Sequence, residues 1–102
     1  MFTLSILGKP FTVTLDPSLE GCIGECDTFH QTIKVNPSLP EATLQDTLLH
    51  EVIHAVEEQL HLRMTEKQVF ALAAGLFAVF RDNQEVLRDF FFPTTTQGTS
   101  NG

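Results

Sequence analysis

The sequence contains no tyrosine and no tryptophan, only two cysteines and few basic residues. Its 102 residues include 13 aspartates and glutamates against 6 lysines and arginines, which gives a formal net charge of −7. Proteins that bind nucleic acids need clustered lysine and arginine to displace the counterions of phosphates, so no nucleic-acid partner is expected. Two cysteines cannot support a disulfide scaffold, and their scarcity favours a cytoplasmic protein.

Long apolar segments are also missing. No run approaches the ~20 residues that a membrane-spanning helix needs, and residues 1–10 lack the basic lead and apolar stretch of a secretory signal. Hydrophobic residues still make up 42% of the chain, an ordinary share that disfavours intrinsic disorder. We therefore expect a single domain over residues 1–92, without a membrane partner. Residues 93–102 are polar and small, and they are expected to form a flexible tail.

The first half of the chain has the alternating pattern of β-strands. Residues 2–6 and 11–15 alternate apolar and polar side chains, and the Gly8-Lys9-Pro10 segment between them predicts a hairpin. Residues 28–35 give a third strand candidate, in which His30 lies on the polar face. Residues 16–24 are interpreted as a loop.

The second half has the signals of helices. Residues 38–41 fit a capping box, with Ser38 as the N-cap, that opens a helix running to about residue 61. Residues 65–68 fit a second capping box, which opens a helix through about residue 81. This second helix is apolar nearly all round, so we expect it inside the domain.

A last short helix is expected over residues 84–92. Its Phe90-Phe91-Phe92 run is interpreted as a plug in the core, whereas an exposed aromatic end would indicate self-association. Gly75 costs about 1 kcal/mol relative to alanine inside a helix, and we interpret it as a point of close helix packing. Together the patterns predict an α+β fold with a small antiparallel sheet, a buried first helix and a second core helix.

One motif carries chemistry, namely His50-Glu51-Val52-Ile53-His54 in the middle of the first helix. Histidines four residues apart lie on one helix face, so both imidazoles can reach a single cation. Zinc suits imidazole nitrogen and accepts an open tetrahedral position. Glu51 projects beside such a metal, where it can activate a water and later carry the proton to a leaving amine. The motif therefore predicts zinc-dependent hydrolysis of peptide bonds.

Residues 47–56 (TLLHEVIHAV), followed by residues 62–69 (LRMTEKQV), resemble the zincin metallopeptidases. They are most similar to the gluzincin-like group and to very small metallopeptidase-like proteins of phages and prophages. The resemblance implies a zincin-like fold, a peptide or protein substrate, and a location in the host cytoplasm if the protein is phage-encoded. It also implies that the substrate lies extended along an edge strand, for which residues 28–35 are the candidate.

The third zinc ligand is left open by the residues themselves. Glu66 is the first choice, because it begins the second helix and matches the gluzincin-like order of two histidines followed by a glutamate. Glu58 lies one turn after the motif and Asp46 one turn before it, so both are alternatives. His61 lies about 10 Å along the helix from the second histidine, which is too far.

The motif also needs a partner for the oxyanion of the tetrahedral intermediate. Related enzymes often supply a tyrosine or a histidine besides the zinc, and this chain has no tyrosine. The candidate donors are His30, His61, Arg63 and Arg81. We prefer His30 as a catalytic residue, because it lies on the polar face of the strand expected beside the motif.

The two cysteines, Cys22 and Cys26, are separated by three residues. Zinc ribbons usually have two intervening residues and a second cysteine pair, and neither is present. We interpret both as reduced cysteines in a glycine-rich loop rather than as a metal site or a disulfide.

A second function is compatible with the same motif. Metal binding couples to folding in small domains, so the site could instead serve a non-catalytic, zinc-stabilised binding or structural accessory protein of phage type. Glu51 distinguishes the two functions, because a site that only supports folding does not need a general base at that position.

Overall fold

The computed structural model describes residues 1–19 and 24–94, in which four strands precede three helices. The strands are β1 (Phe2–Ile6), β2 (Lys9–Leu15), β3 (Gly24–Asp27) and β4 (Thr32–Val35); the helices are α1 (Glu41–Gln59), α2 (Glu66–Asp82) and α3 (Gln84–Phe91). This is the α+β class predicted from the sequence. Cys22 and most of the predicted tail, residues 95–102, lie outside the described residues. Among the helices of the described part, none is both long and apolar enough to cross a membrane.

The sheet has the strand order β1-β2-β4-β3 and is mixed rather than wholly antiparallel. β1 and β2 form the predicted hairpin, closed by Leu7 and Gly8, which both have positive φ as a tight hairpin turn requires. β2 and β4 are parallel, which the sequence analysis did not predict. The parallel pair arises because β3 lies between them in the chain but outside β4 in the sheet. The chain therefore enters β4 in the same direction as β2.

The strand predicted over residues 28–35 is wrong in its first half. β3 and β4 form a hairpin, and residues 28–31 are the turn between them. The Asp27 carboxylate accepts a hydrogen bond from the His30 backbone N–H at 3.0 Å, and Gln31 adopts a φ of 56°. Local side-chain bonding of this kind favours a turn over an extended strand. Gly24 accordingly starts a strand instead of ending a loop.

One face of the sheet packs against α1. The core between them consists of buried apolar residues, namely Ile6, Phe11, Val13, Ile33, Val35 and Ala55. A second cluster of Ile53, Val69 and Ala73 joins α1 to α2. Within the described residues, α1 is thus the only helix that covers the sheet.

The expectation that α2 lies inside the domain is wrong. Val69 and Ala73 are its buried residues, because among the described elements α2 packs on α1 and on the short helix α3 but not on the sheet, which leaves much of its surface uncovered. The core plug predicted for residues 90–92 is also wrong, since all three phenylalanines are exposed. Gly75 has open space where a Cβ would be, so it does not mark close helix packing within the chain.

The two predicted capping boxes have different outcomes. The Thr65 side chain accepts the Gln68 backbone N–H, and the Gln68 side chain accepts the Thr65 N–H, so the box of α2 is confirmed. The box predicted at Ser38 is wrong, because α1 begins after Pro40 without a side-chain cap. The Ser38 hydroxyl donates to the Asn36 side chain instead, at 2.6 Å.

Candidate metal centre

α1 presents His50 and His54 on one face, and α2 brings Glu66 to meet them. The two histidine Nε2 atoms are 3.1 Å apart. The Glu66 carboxylate lies 3.0 Å from Nε2 of His54 through Oε1 and 3.5 Å from Nε2 of His50 through Oε2. Each residue offers one ligand atom, and the three atoms lie within 4.8 Å of one another. This group can therefore hold a metal ion.

The spacing of the donor atoms fits a tetrahedral cation. Ligands at about 2.0–2.1 Å from zinc in a tetrahedron lie about 3.4 Å from each other. The two Nε2 atoms, 3.1 Å apart, are close to this value, and each of them lies 3.0 or 3.5 Å from a different oxygen of the Glu66 carboxylate. Two imidazoles and one carboxylate also form a donor set that zinc accepts with a position left open. The three residues can thus hold a metal ion, and their donor chemistry is one that zinc accepts.

Glu57 contacts the Nδ1 side of the His54 ring, opposite the ligand group. One carboxylate oxygen of Glu57 lies 3.2 Å from Nδ1 of His54, and the other accepts the Met64 backbone N–H at 2.9 Å. A partner on Nδ1 fixes the orientation of the ring, and Nε2 then faces Nε2 of His50 and the Glu66 carboxylate. Glu57 was given no role from the sequence, although its position three residues after His54 is the signal that indicates such a contact.

His50 is held by packing rather than by a hydrogen bond on its second nitrogen. Its Nδ1 atom is buried without a partner in the described residues, and so is Oδ1 of Asp46, one turn earlier on α1. The ring of Phe70 packs on the imidazole with centroids 4.5 Å apart. A buried imidazole with only one nitrogen facing polar groups has that nitrogen, Nε2, available for a cation.

Glu51 is a buried carboxylate beside this group. It is 7% exposed, and it makes no hydrogen bond to the described residues. Burial raises the pKa of its carboxyl from 4.5 to about 7, with His54 opposing the shift and the Glu66 and Glu25 carboxylates adding to it. A carboxyl with a pKa near neutrality can both accept and return a proton.

A cleft of about 490 Å³ opens over these groups. Its lining combines α1, β3 and the start of α2, and consists of Gly24, Cys26, Thr28, Glu51, His54, Glu57, Glu58, Met64 and Glu66. A Cβ at position 24 would lie 2.7 Å from Cγ2 of Thr47 and 3.2 Å from Oε2 of Glu51, so glycine is required for β3 to lie this close to α1. This role of Gly24 was not predicted from the sequence.

The edge strand beside the cleft is β3, not the strand predicted over residues 28–35. β4 lies between β2 and β3 in the sheet, so among the described strands it is internal. Cys26 on β3 lines the cleft as a free cysteine, and burial raises the pKa of its thiol to about 12. A thiol of this kind remains protonated at neutral pH.

The other candidates from the sequence lie apart from the ligand group. Glu58 lines the cleft but is outside the group, as is Asp46. His30 lies in the β3–β4 turn, where its Nδ1 is 2.7 Å from Oδ2 of Asp27, and it does not line the cleft. The hydrogen bond from the His30 backbone N–H, and after it the one from the His30 side chain, lower the pKa of Asp27. His61 lies in the turn after α1 with a φ of 57°. His30 therefore has no contact that supports a role as oxyanion donor.

The position of His30 follows from the turn that replaces the first half of the predicted strand. Arg63 and Arg81 are also absent from the lining of the cleft.

No protein-family model, no curated protein and no solved structure matches the chain, so its resemblance to the zincin metallopeptidases stays a prediction.

Proposed function

We propose that the protein is a zinc-dependent metallopeptidase that hydrolyses peptide bonds in the cleft between α1 and β3. The observation that carries the proposal is Glu51, a buried carboxylate that makes no hydrogen bond within residues 1–19 and 24–94 and that lines the same cleft as His54 and Glu66. Burying such a group costs free energy, and the cost is easiest to explain if the carboxylate acts on a substrate. His50, His54 and Glu66 hold the zinc in this proposal.

The chain's own residues then have separate tasks. Zinc, when bound, would supply a Lewis acid that polarises the substrate carbonyl and lowers the pKa of a water, so that its deprotonated form can attack the carbonyl carbon. Glu51 takes the proton of the attacking water and delivers it to the nitrogen of the leaving amine, so that the bond between carbonyl carbon and nitrogen breaks. Glu57 keeps Nε2 of His54 directed at the cation. A peptide substrate can align with the edge strand β3.

The test is the Glu51→Gln variant. Glutamine keeps the size of the side chain but cannot accept the proton, so we expect cleavage of a quenched fluorescent peptide library to fall by at least ~10²-fold. Zinc content, measured by mass spectrometry on protein purified without a polyhistidine tag, should stay near one ion per chain. The matched control is Glu41→Gln, an exposed glutamate in the first turn of the same helix, which should retain activity. Full activity of Glu51→Gln would contradict the proposed mechanism.

A second candidate is a zinc-stabilised binding or structural protein that cleaves nothing. It is favoured by the distribution of the ligands, because a metal on His50, His54 and Glu66 would join α1 to α2, which share a small buried cluster. In this case His54→Ala would lose zinc and melt at a lower temperature, while the wild-type protein would cleave no peptide of the library. Both candidate functions thus predict that the wild-type protein contains zinc, but only the metallopeptidase predicts that it cleaves peptides.

A further inference from the structure

The far end of the helical pair exposes a large apolar surface. Six large apolar side chains expose between 47% and 77% of their area, namely Val79, Phe80, Val86, Phe90, Phe91 and Phe92. No residue of α3 is buried, and within the described residues α3 packs only on α2. Phe80, Phe91 and Phe92 line one groove and the rings of Phe90 and Phe91 are in contact, so these four side chains are contiguous. Contiguous exposed apolar surface marks an interaction site.

The shape of this surface is suited to pairing with itself. An apolar groove of about 490 Å³ lies between α2 and α3, and Phe80, Leu87 and Phe91 are among the residues that line it. Val86 and Phe90 are one helical turn apart and precede Leu87 and Phe91 in the chain, so they form a ridge on the adjoining face of α3. A surface that carries both a ridge and a groove meets the requirement of a two-fold interface, in which the same patch contributes both sides.

The charge of this part of the chain also favours a second copy. Residues 67–92 contain three basic and three acidic side chains, namely Lys67, Arg81, Arg88, Asp82, Glu85 and Asp89, so they carry no net charge. The formal charge of −7 therefore lies on other parts of the chain. Arg81 and Arg88 pair with the neighbouring Asp82 and Asp89 at 3.1 and 3.3 Å. Two acidic chains can meet here without strong repulsion, whereas a basic partner would find no excess of negative charge.

The exposed area is sufficient for a stable dimer. A large apolar or aromatic side chain that is half to three-quarters exposed presents about 100 Å², so the six residues offer roughly 600 Å² per protomer. A standard interface buries about 800 Å² per partner, of which somewhat more than half is apolar. We infer that the chain forms a symmetric homodimer through α2 and α3, with Val86 and Phe90 of each copy packing into the groove of the other.

Sedimentation velocity of the full chain over a wide concentration range tests this inference. The wild-type protein should sediment as a species of twice the 11.4 kDa mass of one chain. Phe90→Glu places an unpaired charge in the interface, and it should raise the dissociation constant of the dimer by at least about a hundredfold. The matched control is Phe29→Glu, since Phe29 is 87% exposed in the β3–β4 turn, outside this surface, and should leave the dimer intact.

Three results would overturn the inference: a wild-type monomer at every concentration, a dimer that persists in Phe90→Glu, or a dimer lost equally in Phe29→Glu. A wild-type monomer that co-sediments with phosphatidylglycerol vesicles would assign the surface to lipid instead. Both substitutions are at exposed positions, so circular dichroism should confirm that each variant is folded. The measurement requires neither zinc nor substrate, and its outcome is therefore independent of the proposed peptidase activity.

Discussion

Gly24 has no side chain, and this allows β3 to lie against α1, the helix that carries Glu51. We expect Gly24→Ala to lower the free energy of unfolding by about 1–3 kcal/mol, because the new methyl would lie 2.7 Å from Cγ2 of Thr47, a buried and β-branched residue that cannot easily turn away. Urea denaturation measures the change through the shift of the midpoint.

The Thr47→Ser substitution provides the control for this prediction. Serine removes the methyl that an alanine at position 24 would meet, so the double variant should recover part of the lost stability. If Gly24→Ala alone is neutral, β3 does not approach α1 as closely as described. If the two changes are simply additive, the destabilisation has another origin than this contact.

At the scale of single residues, sequence spacing identified the groups that come together but not the contacts that hold them. His50 and His54 face one cation position because of their four-residue spacing, and Glu66 meets them at the start of the next helix. Their role as ligands stays a prediction. Glu57 and Gly24 were missed because their roles depend on tertiary contacts, with a loop amide and with another element of the fold, which no local pattern encodes.

At the scale of elements, the interior of α2 can be made more stable. Gly75 is exposed, and a Cβ there would meet nothing within 4 Å, so Gly75→Ala should raise the free energy of unfolding by about 0.5–1 kcal/mol through the lower entropy of the unfolded chain. Thermal unfolding in the Phe90→Glu background measures this effect separately from association. Ala74→Gly, at an exposed neighbouring position, should have the opposite sign. A loss of stability in Gly75→Ala would show that the helix is packed closely at that point.

The elements themselves were predicted to different degrees. Capping at Thr65 and the alternation of residues 2–6 and 11–15 are local signals, and the corresponding elements formed close to the expected bounds. The alternation of residues 28–35 misled because the Asp27 side chain stabilises a turn at its start. The prediction that α2 lies inside the domain was wrong for a different reason. Apolar residues on all sides of a helix indicate that its surface is buried, but they do not identify the element or partner that buries it.

At the scale of the whole molecule, a bound metal should contribute directly to stability. We expect zinc at about 100 times its dissociation constant to add about 2.7 kcal/mol to the free energy of unfolding, because the ligands come from two helices and assemble only in the folded chain. Calorimetry with zinc, and again after chelation, measures the difference in melting temperature. His54→Ala should melt at the same temperature in both conditions. If the melting temperature of the wild-type protein is the same with and without zinc, zinc does not bind to His50, His54 and Glu66.

The arrangement of layers could not be predicted from the sequence. The pattern of apolar residues located the helices, but it could not show that, within the described residues, α1 is the one helix that packs against the sheet and that α2 packs on α1 and α3 instead. As a result, Phe90, Phe91 and Phe92 stay exposed in the described part of the chain. Local periodicity does not encode which elements pack on each other, so this exposure could not be predicted from it.

The edge strand β3 has a consequence for aggregation. A strand at the edge of a sheet offers unpaired backbone groups to any extended chain, including another copy of itself. β3 has only four residues, and two of them, Glu25 and Asp27, are acidic. Two such strands aligned antiparallel would bring carboxylates close together, whereas an incoming peptide without acidic residues would meet no such repulsion. The same short acidic strand can therefore accept a foreign chain while discouraging the fibrils that an open edge invites.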